Sequence, residues 1–220
     1  MMKSNRIGAV IFLAFGLVFT LIGIGLAVFA SAALNREGDR IAALPVISGT
    51  QLSSASPNTD ILLEGVISER NPQLNGDFVA FDRELYMGVD DQDDPIWSLQ
   101  QRQRPALLLD ADGALVQTTA NYAVSGYHQI IDPGLQDARK TRQTERIFGL
   151  VRGREVTVLG QVRTGSEGPE INATTIYAGN RDQFIATQYI GSQVTFWVGF
   201  GFGLFGLVFG GIGVWWWIKL

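Results

Sequence analysis

The hydrophobic and polar positions divide the chain into three parts. No Asp, Glu, Lys or Arg occurs between Ile7 and Leu34, and from Gly191 onward the one charged side chain is Lys219. Each run exceeds the roughly 20 apolar residues that a helix needs to cross about 30 Å of hydrocarbon. Residues 7–33 and 191–218 are therefore predicted to be transmembrane helices, with residues 1–6 and 219–220 as short polar ends. Between the two spans the pattern changes to short runs of β-favouring residues separated by turn chemistry.

Those runs are 61–68, 77–86, 96–101, 106–110, 114–118, 155–162 and 170–177. Asn75-Gly76 and Asp112-Gly113 supply the positive φ of tight hairpins. Residues 34–60, rich in Ser, Pro and Asn, read as a linker, and residues 61–190 as a β-rich domain. The predicted fold class is two transmembrane α-helices flanking a mainly β domain, an antiparallel barrel or sandwich. Residues 132–151 have fewer β-branched side chains, and Asp132-Pro133 suits a helix start, so a short helix is placed there.

Small residues line both spans. Gly199, Gly203, Gly206, Gly210 and Gly213 recur at +4, +3, +4, +3, which keeps them within about 40° of one line on a helix. Gly16, Thr20, Gly23, Ala27 and Ala30 repeat that spacing in the first span. Such seams let helices approach closely in lipid, the partner being either the other span or another subunit. Trp215, Trp216 and Trp217 point about 100° apart and form a collar suited to the headgroup layer, with Lys219 snorkelling beyond it.

Charge bears on orientation and partners. Lys3, Arg6 and Lys219 lie outside the spans and are placed in the cytoplasm, against Arg36, Arg40 and Arg181 on the other flanks. This predicts an inner or plasma membrane protein with both termini cytoplasmic and the middle domain extracytoplasmic. Ala30-Ser31-Ala32 resembles a signal-peptidase site, but the apolar run is longer than the roughly 7 to 15 residues of a signal-peptide core, favouring an uncleaved anchor. The middle holds 14 basic against 21 acidic side chains, a net −7. On that balance nucleic acid is not expected as a partner; membrane lipid, and a protein partner or larger membrane complex, are.

Candidate chemistry is sparse. The absence of cysteine excludes disulfides, thiolate nucleophiles and Cys-ligated metals. His128 is the sole histidine and no motif supplies it with a nucleophile, so it reads as structural rather than catalytic. Asp90, Asp91, Asp93 and Asp94 are weak candidates for a hard cation, but lack the spacing of a calcium loop. No cofactor is expected. The basic cluster Arg139–Arg146 reads as a solvated face, or as a lipid-headgroup contact.

Several stretches share an order with one family. ILLEGVISE (61–69), FVAFDREL (78–85), WSLQQRQRPALLLDADGALVQ (97–117) and GREVTVLGQVRTGSEGPEINATTIYAGNRDQF (153–184) resemble the GIDE domain of the mitochondrial membrane ubiquitin ligase family, also called MULAN. The resemblance implies a span–domain–span plan with the domain across the membrane from the cytosol. Ligase members also carry a RING of eight Cys and His ligands; with no cysteine and one histidine this sequence has no such module, and no catalytic residue carries over. It is most similar in plan to RING-less prokaryotic members. The resulting expectation is a non-enzymatic integral membrane protein whose β domain binds a protein or senses the envelope, or an accessory subunit of a membrane complex. An enzyme using His128 is the least favoured alternative.

Overall fold

A computed structural model describes residues 2–131, 144–165 and 168–219. The chain forms two compact units, one of residues 1–43 with 185–220 and one of residues 44–184.

The first unit is an antiparallel helical hairpin. Helix α1 (Met2–Ile24) runs through a π turn (Gly25–Ala30) into α2 (Ser31–Ala42), and α3 (Arg181–Ile218) returns beside them. Ile7–Ala42 and Arg181–Ile218 are both long and apolar enough to cross a membrane. Within residues 185–218 of α3, buried positions fall at Ser192, Gly199, Gly206 and Gly213, a strict seven-residue repeat of small side chains. On the facing helix the buried small residues are Ala9, Gly16 and Gly23, then Ser31 and Gly38, so one interval is eight residues long, and Ile41 is buried beyond them. The π turn absorbs that extra residue, since a single i→i+5 turn adds one position without breaking the helix. It moves the seam from Ala30, the position expected from the spacing, to Ser31. Here the Ser31 hydroxyl donates to the Ala27 carbonyl.

The seam is a backbone-to-backbone contact. A Cβ at Gly16 would stand 2.6 Å from Gly210 Cα, and one at Gly206 would stand 2.5 Å from Thr20 N. Gly199 faces Ala27 and Gly213 faces Leu13 in the same way. Gly203 and Gly210 touch the first helix through backbone only, their own Cβ directions being open or at 4.0 Å. Beside the seam, Phe12 stacks on Phe209 at 5.5 Å and Phe19 on Phe202 at 5.7 Å. Small residues permit the approach, and rings beside them recover the dispersion contact that missing side chains forgo.

The second unit contains two sheets. Its strands are β1 (Asp60–Ile67), β2 (Phe78–Val89), β3 (Pro95–Gln103), β4 (Leu108–Ala111), β5 (Ala114–Thr118), β6 (Ala123–Ser125), β7 (Gln129–Ile131), β8 (Glu145–Val151), β9 (Glu155–Gly165) and β10 (Gly168–Tyr177). The first sheet runs β5-β4-β1-β9-β10-β6, and β5 also pairs with β10, so five strands close into a barrel. Neighbours are antiparallel except β10 with β5 and β6, which are parallel. The expected antiparallel barrel is thus a barrel of mixed pairing.

Closure needs a corner. The β9–β10 register shifts between Ala173 and Thr175, and Gly160 lies opposite, where a Cβ would meet Ile171 Cγ2 at 2.7 Å. A bulge against a glycine bends a strand pair sharply enough to close so small a barrel. Ile61, Leu63, Leu109, Val158 and Ile171 alternate inward and fill it, each fully buried.

Numbering only the barrel strands, their order around the barrel is first, second, third, fifth, fourth, with third and fifth parallel. That is the connectivity of the OB-fold, a five-stranded Greek-key barrel. The connection between its first and second strands, residues 68–107, is enlarged into the β2–β3 hairpin. Strands β7 and β8, from the connection between the third and fourth, join that hairpin in an antiparallel sheet ordered β3-β2-β8-β7. The short helix expected over 132–151 is corrected in part: residues 145–151 are strand β8, and residues 132–143 lie outside those described. Pairing along β2, from Phe78 with Val151 to Leu85 with Glu145, overrides the weak β propensity that suggested a helix.

Candidate functional site

The second sheet concentrates arginine and aromatic side chains on one face. Residues of a strand alternate between faces, so Asp82, Glu84 and Tyr86 of β2 share a side. The register sets Glu84 opposite Arg146, Asp82 opposite Phe148 and Arg102, and Tyr86 opposite Trp97. Arg146 lies with its guanidinium carbon 4.3 Å from the Trp97 ring centroid and 5.7 Å from that of Phe148. Tyr86 packs edge-on to Trp97 at 5.5 Å and Tyr127 to Phe148 at 4.5 Å. The result is a row of π faces with a cation over its centre, where quadrupole and charge attract.

Among the described residues, carboxylates hold Arg83, Arg102 and Arg146 of the second sheet and Arg104 beside it. Glu84 accepts from Arg146 at 2.6 Å, and Glu145 accepts from Arg83 at 2.6 Å on the opposite face. Asp82 receives Arg102 at 3.1 Å and Arg104 at 2.8 Å. The Asp82–Arg104 pair is buried, each side chain 5% exposed, whereas Arg102 is 60% exposed. Burial, followed by the nearby Asp82 charge, raises the Tyr127 phenol above its ordinary value. Burial likewise raises that of Tyr122, whose hydroxyl has no hydrogen-bond partner among the described residues, Arg104 acting in the opposite direction.

Sequence reasoning missed this face, although one signal was present. Residues 138–163 hold seven Lys and Arg against two Glu, a local +5 concealed by an acidic total. Of these, Arg146, on the aromatic face, and Arg152, Arg154 and Arg163 belong to the described part, while 139–142 lie outside it.

The residues singled out from sequence fall elsewhere. His128 Nδ1 accepts from the Val151 N–H at 3.4 Å, which leaves Nε2 to donate to the Glu155 carbonyl at 2.8 Å. The neutral ring thus ties the β7 approach to β8 and β9, and burial holds its pKa below the usual histidine value. Asp90 spends Oδ1 on the N–H groups of Gln92 and Asp94, closing the β2–β3 turn, with Asp93 at φ +63°. Asp91, Asp93 and Asp94 extend this turn, and no group of three metal-ligating side chains occurs among the described residues. In the hairpin unit Trp216 packs edge-on to Phe12 at 5.4 Å, and Trp215 and Trp217 are about half exposed. Lys219 holds its ammonium over the Trp215 ring at 4.1 Å.

No protein-family model matches the chain, and no curated protein matches it. Among solved structures it is similar to the second OB-fold domain of replication protein A from Methanococcus maripaludis, at 15% identity and TM-score 0.24, covering 56% of this chain and 87% of that one. It is also similar to telomere capping protein Ten1 from Saccharomyces pombe, at 8% identity and TM-score 0.26, covering 69% and 98%. The S. pombe Stn1–Ten1 complex matches at 7% identity and TM-score 0.25, covering 69% and 92%.

Two expectations are corrected. The barrel's own connectivity is that of the OB-fold, a class of barrels that take oligonucleotides and oligosaccharides. The exclusion of nucleic acid therefore falls, and with it the assignment as a protein-binding or envelope-sensing membrane protein or an accessory subunit. The physical error lay in using net charge: fields are screened over about 10 Å at 0.1 M salt, so a polyanion meets the local face rather than the total.

Proposed function

We propose that the β domain binds single-stranded nucleic acid on the arginine–aromatic face of its second sheet. The observation that carries this reading is Arg146 seated over Trp97, with Tyr86, Phe148 and Tyr127 extending the row. Unpaired bases stack on aromatic side chains and arginine planes while cations meet the backbone. The fold supports the location, because the loop between the first and second strands is one of the sites at which OB-folds take oligonucleotides. Here that loop carries Tyr86, Trp97 and Arg102. The outer side of β4 and β5, another common OB-fold surface, offers Asp110, Leu115 and Gln117, and no base or ring. The domain acts by binding, with His128 held as a strut.

The test is fluorescence anisotropy of a labelled oligothymidine against the full chain in detergent, titrated at several salt concentrations. Saturable binding that weakens with salt, and a loss of about 1–3 kcal/mol in Trp97→Ala, are expected. Absence of binding at low salt overturns the reading.

The hairpin supplies a second element. We propose that it lies in a membrane, since Leu17, Phe29, Trp197, Leu207 and other large apolar side chains point outward from it, more than half exposed. The GIDE-like motif order supports the same span–domain–span plan. With both termini in the cytoplasm, the domain meets its strand outside it.

A further inference from the structure

Resting on the single-strand reading, we infer that Glu84 is a built-in competitor for phosphate that restricts the face to unpaired strands. Glu84 stands directly opposite Arg146 on the neighbouring strand. Its Oε2 takes both Arg146 Nε, at 2.7 Å, and Nη2, at 2.6 Å. A guanidinium uses that edge to hold a phosphate oxygen pair. The carboxylate thus occupies the seat a backbone phosphate would need, while the flat side of the same guanidinium is committed to Trp97.

The pair is also accessible. Glu84 is 18% and Arg146 31% exposed, so water and an incoming anion reach it, unlike Asp82–Arg104 behind it. Displacing Glu84 costs the ion pair and leaves a carboxylate beside the ligand. A single strand binds without that displacement, by stacking its bases on the aromatic row. A duplex brings phosphates, but its bases are already stacked and paired, so it has nothing to offset the loss. Glu84 is on this account a specificity-determining residue: it sets the preference between single and double strands rather than the ability to bind.

Glu84→Gln keeps the shape and removes the charge. Measured by anisotropy with the full chain in detergent, affinity for a duplex rises on the order of tenfold and that for an oligothymidine of equal length two- to threefold. The ratio of the two therefore falls. The oligothymidine salt slope steepens by about 0.7, the increment for one more phosphate contact on a single strand. Glu84→Asp, which withdraws the carboxylate by one methylene and preserves the fold if Gln does not, moves the ratio the same way by a smaller factor. A wild type that binds single strands with a ratio unchanged in both variants overturns this inference and leaves the binding function standing. A wild type that binds neither probe removes both.

Discussion

Gly23 and Gly203 meet backbone to backbone: a Cβ on Gly23 would lie 2.6 Å from Gly203 Cα, whereas a Cβ on Gly203 would meet nothing within 4 Å. The two glycines share one contact but have different tolerances. Gly23→Ala and Gly206→Ala should each loosen the hairpin by about 1–3 kcal/mol, the usual cost of overpacking, and Gly203→Ala should be neutral. The chain has no cysteine, so disulfide cross-linking between single cysteines introduced at Val10 and Val214 measures the effect. Equal loss of cross-linking in Gly203→Ala and Gly23→Ala contradicts this asymmetry.

The buried pair under the aromatic face separates two kinds of arginine. Asp82→Ala leaves Arg104 charged and unpaired in the interior, and should cost about 3–5 kcal/mol. Arg102→Ala removes an exposed partner of the same carboxylate, and should cost less than about 1 kcal/mol. Denaturant unfolding of the two variants checks the order.

Tyr122 tests the converse. Its buried hydroxyl has no partner among the described residues, and such a group carries a desolvation cost of about 1–3 kcal/mol. Tyr122→Phe should therefore leave the domain as stable or more stable by thermal unfolding, and a marked destabilisation would show that the hydroxyl is satisfied.

His128 gives a pH dependence with a definite sign. Its folded pKa lies below the unfolded value, chiefly through burial. Below about pH 6.5, the ordinary histidine value, the unfolded chain takes up a proton that the folded chain refuses, so stability falls as pH decreases and levels off below the folded pKa. His128→Gln should flatten that part of the stability profile relative to wild type.

The orientation can be checked on intact cells. Asp91→Cys, on the exposed β2–β3 turn, should react with a membrane-impermeant maleimide, and Lys219→Cys should react only after permeabilisation. The reverse pattern would put the domain in the cytoplasm.

Much of the architecture was legible in local sequence. Long uncharged runs mark helices whatever surrounds them, because every backbone group in a helix is satisfied within the segment. Asp112-Gly113 sets the β4–β5 turn locally, at φ +47° and +80°. Strands β6, β7 and β8 were missed because their evidence is the pairing itself: β8 becomes a strand by lying against β2, about 60 residues away in sequence. The Arg146–Trp97 seat was missed for the same reason, its two residues coming from strands that do not even pair with each other.

The sequence by itself determined the apolar lengths, the small-residue repeat, the turn sites and several of the barrel strands, all of which depend on neighbours a few positions apart. Tertiary structure decided the parallel β5–β10 closure, the one-residue shift of the seam from Ala30 to Ser31, and which carboxylate faces which guanidinium. Those outcomes depend on how distant segments share space, and a seven-residue repeat or a run of β-branched residues carries no record of the partner it will meet.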